Sequence, residues 1–83
     1  MHIELNFALT ILKNHQDIII EFDGTDYIAK GETFKHNTVL KACYFVWYSR
    51  REEWIFNPWH SSRNPMIEYV RKKLKKEYGV DYA

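Results

Sequence analysis

The chain has a single cysteine, Cys43, among its 83 residues. No internal disulfide can form, so the fold must stand on its hydrophobic core, and the lone thiol fits a reducing compartment. Cys43 lies inside an apolar run and reads as a small buried hydrophobe; a reactive thiol would need a neighbouring cation and exposure. Glycine is also scarce. Gly24, Gly31 and Gly79 stand far apart, which excludes a glycine-rich phosphate loop. Long apolar runs are missing. The longest, Ala42 to Tyr48, falls well short of the roughly 20 residues that cross a bilayer. The opening MHIELNFALTIL lacks the basic start and unbroken apolar stretch of a secretory signal. A soluble, intracellular (cytoplasmic) protein with no membrane role is expected.

Metal and catalytic patterns are absent in the same way. The histidines are His2, His15, His36 and His60. None lies four residues from another, and one cysteine is too few for the common structural zinc frameworks. The carboxylates Asp17, Glu21, Asp23 and Asp26 lack the spacing and terminal Glu of a calcium loop. No metal, no cofactor and no catalytic set are expected. The most reactive-looking peptide, Trp59-His60-Ser61-Ser62-Arg63, names no carboxylate to orient its imidazole. An activity centred on His60 is the weakest of three functional readings.

What the chain does have is aromatic side chains in one place. Residues 44–59, YFVWYSRREEWIFNPW, hold seven of its 14 aromatics and all three tryptophans. Such side chains carry large apolar area, and Trp and Tyr add a polar handle. A domain of this size buries only roughly 60–65% of its unfolded surface, so part of that aromatic area is expected at a binding surface. Charge is unevenly spread as well. Residues 1–40 carry three Lys against six Asp or Glu, a balance of −3, and residues 41–83 carry nine Lys or Arg against five acids, a balance of +4.

Apolar spacing and turn residues predict one domain over residues 1–83 of α+β class. Residues 4–13 suit a helix with Leu5, Ala8, Leu9 and Leu12 inward. Residues 17–22 and 25–30 suit a hairpin around Asp23-Gly24. A four-residue loop, with Phe22 opposite Tyr27, segregates apolar from polar side chains better than a two-residue loop with Ile20 opposite Tyr27. Residues 32–37 are a loop or a short edge strand. Val39 to Tyr48 is apolar on both faces, with only Lys41 as a break, and reads as a strand covered from both sides, by the first helix on one and by the C-terminal helix, a second copy of the chain or a different protein on the other. Residues 53–56 complete a sheet of three to four strands. Asn64 is a suitable N-cap with Pro65 at the first helical position. The closing helix, 65–78, would turn Met66, Val70, Leu74 and Tyr78 inward, helped by Ile67, and stop at Gly79. The expected order is α-β-β-β-β-α.

The leading functional expectation is a small non-catalytic protein-binding module, a regulator or inhibitor of the kind a virus or mobile element encodes. Its anchors would be Trp54, Trp59, His60, Arg50, Arg51 and Arg63, since Trp, Tyr and Arg dominate interface hot spots. A homo-oligomer fits the same features. The alternative is a nucleic-acid-binding domain using Arg71, Lys72, Lys73, Lys75 and Lys76 with the neighbouring arginines and tryptophans. The pairs Glu68–Lys72 and Lys73–Glu77, four residues apart, would offset part of that charge.

Overall fold

The computed structural model describes residues 2–80. The elements run α1 (His2–Leu12), β1 (Ile18–Phe22), β2 (Tyr27–Gly31), α2 (Asn37–Ala42), β3 (Phe45–Tyr48), β4 (Glu53–Phe56) and α3 (Pro65–Glu77). The four strands make one antiparallel sheet in the order β1-β2-β4-β3. This is the expected α+β class, with a helix at each end and a short helix added between β2 and β3. Among the described residues no helix is long and apolar enough to cross a membrane.

The β1–β2 hairpin takes the four-residue loop, with Phe22 opposite Tyr27. Asp23 decides this. Its Oδ1 accepts the backbone N–H of Thr25 at 2.8 Å and of Asp26 at 2.7 Å, an Asx arrangement that fixes the loop. Those two bonds hold the Asp23 carboxyl below its ordinary pKa.

The strand expected over Val39–Tyr48 is a helix followed by a strand. Residues 37–42 wind into α2, burying Leu40 and Ala42, with Cys43 buried at its C-cap. Burial pushes the Cys43 thiol up to about 12, so it is an inert packing group. Tyr44 then turns the chain at φ 69°, a left-handed conformation that costs a non-glycine residue roughly 1–2 kcal/mol. Packing offsets that strain. The Tyr44 ring meets Phe7 and Phe56 edge-on, at 5.9 and 6.5 Å between centroids, and the Arg71 guanidinium lies 4.2 Å over it. Since residues 39–43 are not a two-sided strand, the basis for expecting self-association falls away.

Arg71, expected on a cationic surface, is buried instead. Its Nε donates to Ala42 O at 2.8 Å, and its Nη2 to Lys41 O at 3.3 Å and Ser62 O at 3.4 Å. The last carbonyls of a helix have no partner within it, so a side chain of α3 completes α2. Glu68 pairs with Arg71 from the outer side, not with Lys72 as expected.

The ends of α3 are as its sequence dictates. Asn64 Oδ1 accepts the Ile67 N–H at 2.9 Å, with Pro65 opening the helix. Gly79 is left-handed at φ 65°, and the Val80 and Gly79 N–H groups bond back to Lys75 O and Lys76 O at 2.9 and 3.4 Å, a Schellman stop. The inward face keeps Ile67, Leu74, Val70 and Tyr78 as expected but shifts from Met66 to Arg71. Ile67, Arg71 and Leu74 are buried, whereas Met66 is 70% exposed. Arg71 must face α2 to reach its carbonyls, and that sets the shift. In α1 the buried residues are Phe7, Ala8, Ile11 and Leu12, with Leu5 and Leu9 half-buried.

All the helical core contacts fall on one face of the sheet. Ile18, Ala29, Phe45 and Trp54, at matching strand positions, join the core with α1, α2 and α3. The opposite face, with Ile19, Ile28, Val46 and Ile55, carries no helix among the described residues. Arg51 is tied to Glu53 at 2.9 Å and to Asp26 and Asp23 at 3.5 and 3.7 Å.

Candidate functional site: an aromatic groove along the β3 edge

Three cross-strand aromatic pairs stud the helix-bearing face: Phe22–Tyr27, Phe45–Phe56 and Trp47–Trp54, with ring centroids 4.8, 5.7 and 5.8 Å apart. Hydrogen bonds just outside the strands give the phase of each ladder. The Asn57 N–H donates to Tyr44 O, and the Asp23 N–H to Asp26 O. Bonded and non-bonded pairs alternate in an antiparallel ladder. All three aromatic pairs therefore occupy non-bonded positions, where opposite Cα atoms are closest, about 4.5 Å apart.

Trp54 is on a central strand and buried, at 8% exposure. Trp47 is on the edge strand, its ring tilted against that of Trp54, and 48% exposed. Phe34, in the turn between β2 and α2, is 88% exposed. These three rings with Thr33, Asn37 and Lys41 line an open cavity of about 360 Å³, within the size range of small-ligand sites. A second cavity, about 200 Å³, shares Lys41, Trp47 and Trp54 and continues past Phe45 to His60 and Ser62. Val46, whose side chain alternates to the other face, also lines it, so this cavity wraps the free edge of β3. Adjoining at Lys41, Trp47 and Trp54, the two make up a groove along β3; a further depression of about 400 Å³, with Glu52 and Glu53 in its wall, adjoins the first at Thr33, Trp47 and Trp54.

The Phe34 wall is pinned by a cluster that sequence reading did not single out. His36 Nε2–H donates to both oxygens of Asp17, at 3.0 and 2.9 Å, and the His15 ring meets that of His36 edge-on at 5.0 Å. Lys35 Nζ lies 3.6 Å from the same carboxylate. The hydrogen bond from His36 is the main cause holding the Asp17 carboxyl below its ordinary pKa. Asp17 O also accepts the Glu32 N–H at 2.9 Å. The turn carrying Phe34 is thus fastened to the α1–β1 corner.

The expected anchors divide. Trp54 and His60 line the groove. Trp59, 69% exposed, lies elsewhere, in a separate depression with Leu5, Phe22, Tyr27 and Phe56. Arg51 is held by three carboxylates; Arg50 and Arg63 are exposed and line neither groove cavity. The groove residues that sequence reading left out of the anchor set are Phe34, Lys41 and Trp47. The last had a signal in the aromatic stretch, but its exposure follows from β3 being an edge. His60 makes no side-chain hydrogen bond or ion pair among the described residues. On α3, Lys72, Lys73 and Lys76 are exposed and Lys75 half-buried, and none forms an ion pair among the described residues. No cluster of three His, Cys, Asp or Glu side chains among the described residues has the geometry to hold a metal ion. No protein-family model, no curated protein and no solved structure matches this chain, so its site is read from geometry alone.

Proposed function

We propose that this chain is a non-catalytic protein-binding module, a small regulator or inhibitor, whose interface is the groove between Phe34, Trp47 and the free edge of β3. The observation that carries this reading is the pairing of two large exposed rings, Phe34 and Trp47, with an apolar cavity between them. Aromatic anchors around a pocket are the usual centre of an interface, and an edge strand offers unpaired backbone groups for a partner to extend.

Selection of short displayed peptides on the immobilised protein tests it. The wild type is expected to enrich a defined consensus, and Trp47→Ala to weaken the selected peptides about 30-fold, the equivalent of the ~2 kcal/mol of a hot-spot residue. Failure to enrich any sequence, or enrichment unaffected by Trp47→Ala, would sink this reading.

One observation favours a second reading. The α3 lysines have none of the expected partners: Glu68 is taken by Arg71, and Lys73 and Glu77 form no ion pair among the described residues. A nucleic acid held by Lys72, Lys73 and Lys76 would bind less tightly as salt rises. Glu at those three positions would flatten the salt slope by about three counterions. A titration of single- and double-stranded oligonucleotides at two salt concentrations decides it, and the absence of binding at low salt removes it.

A further inference from the structure

The groove has a polarity that its aromatic walls conceal. Its two cavities are lined by Lys41 and His60 but by no carboxylate among the described residues. The Lys41 side chain is exposed and makes no ion pair among the described residues. In the depression that adjoins at Thr33, Trp47 and Trp54, Glu53 is engaged by Arg51 at 2.9 Å, while Glu52 forms no ion pair among the described residues; neither carboxylate lines the two cavities that Lys41 lines. Lys41 is common to both cavities, so it stands beside the middle of the groove as an uncompensated cation.

The backbone of β3 has a direction as well. The Asn57 N–H to Tyr44 O bond (2.8 Å) makes Tyr44 and Asn57 a hydrogen-bonded pair of the β3–β4 ladder. By alternation Val46 turns its N–H and C=O toward β4, while Phe45 and Trp47 turn theirs to the free edge. A strand laid along that edge would bond to Phe45 and Trp47. Its residues directly opposite them would point to the same face as those two side chains, into the two cavities. Positions two apart in the added strand would then meet different chemistry: the Phe34 ring on one side, His60 and Ser62 on the other, and Lys41 within reach of both.

From this we infer that the groove takes an extended, acidic peptide segment as a fifth strand, with an apolar side chain against Trp47 and an Asp or Glu two positions away beside Lys41. The inference rests on the groove being the interface proposed above, and adds the chemistry of its partner. The carboxylate supplies the charge that Lys41 lacks. A basic segment would set like charges together, and that excludes partners as effectively as attraction selects them.

The displayed-peptide selection, repeated on Lys41→Glu and Lys41→Gln, tests the inference separately from the reading beneath it. Wild type is expected to enrich an apolar residue and an acid two positions apart. Lys41→Gln should lose the preference for the acid and weaken the wild-type peptides about fivefold, the size of one partly exposed ion pair. Lys41→Glu should enrich Lys or Arg at the same position. In the wild-type complex the Phe45 and Trp47 amides should gain protection from hydrogen exchange. Peptides that depend on Trp47 but show no charge preference would overturn the inference and leave the protein-binding reading standing. Bound peptides that leave the Phe45 and Trp47 amides unprotected would also overturn it. A selection indifferent to Trp47→Ala would remove the reading itself.

Discussion

Replacing Arg71 with alanine is expected to lower stability by about 3 kcal/mol, the largest loss for any single cation in the chain. Arg71 is buried, donates to the carbonyls of Lys41, Ala42 and Ser62, and lies over the Tyr44 ring. Alanine leaves the Ala42 and Ser62 oxygens without a donor, Lys41 O keeping the Tyr44 N–H at 3.2 Å, and a buried unsatisfied group costs roughly 1–3 kcal/mol. It also exposes the strained turn at Tyr44, whose ring loses its cover. Arg71→Met separates the causes, because its unbranched chain keeps part of the stem packing and none of the hydrogen bonds. Arg71→Lys keeps the charge but cannot fork between two carbonyls, so it should fall between Met and wild type. Urea melts with an unchanged slope give the numbers. A midpoint for Arg71→Ala within ~0.5 kcal/mol of wild type would mean that water replaces the guanidinium without loss.

The second large effect is at Gly31, where Ala is expected to cost about 3–4 kcal/mol. Gly31 sits at φ 95°, and a Cβ there would lie 2.3 Å from the carbonyl oxygen of Asp17. That oxygen belongs to the backbone and cannot swing aside, and it already accepts the Glu32 N–H at 2.9 Å. The strand ends must part, loosening the turn that carries Phe34. Gly24 is the internal control. It has a similar φ of 99°, but a Cβ at that position would meet nothing within 4 Å, so Gly24→Ala should cost only the conformational strain, about 1 kcal/mol. Paired thermal melts of the two variants measure the difference. Equal losses at the two sites would show that the approach of Asp17 has no energetic weight.

Elements specified by residues near in sequence were legible. Asn64, Pro65 and Gly79 mark the ends of α3, and Asp23-Gly24 marks the hairpin, whose four-residue loop the Asp23 side chain then fixes. The α2 segment was not legible. Its VLKAC carries the same β-branched and apolar residues as a strand, and no glycine marks its end; a tyrosine held by Arg71, 27 positions along the chain, does that work. The same limit hid the groove. Trp47 and Trp54 look alike in sequence, and only the strand order β1-β2-β4-β3, with β3 outermost, leaves one exposed and buries the other. Arg71 and its neighbouring lysines likewise differ only in what faces them across the fold.

The tilted pair of indoles, Trp47 and Trp54, has an optical consequence. Rings 5.8 Å apart at 57° are near enough for their excited states to mix, and the tilt makes that mixing chiral. Trp59 lines a different depression, without either of them. The exciton-split circular dichroism of the coupled chromophores thus belongs to the β3–β4 junction alone. The chain carries its own label at the strand edge, one that reports whether that edge is intact or displaced without any attached dye.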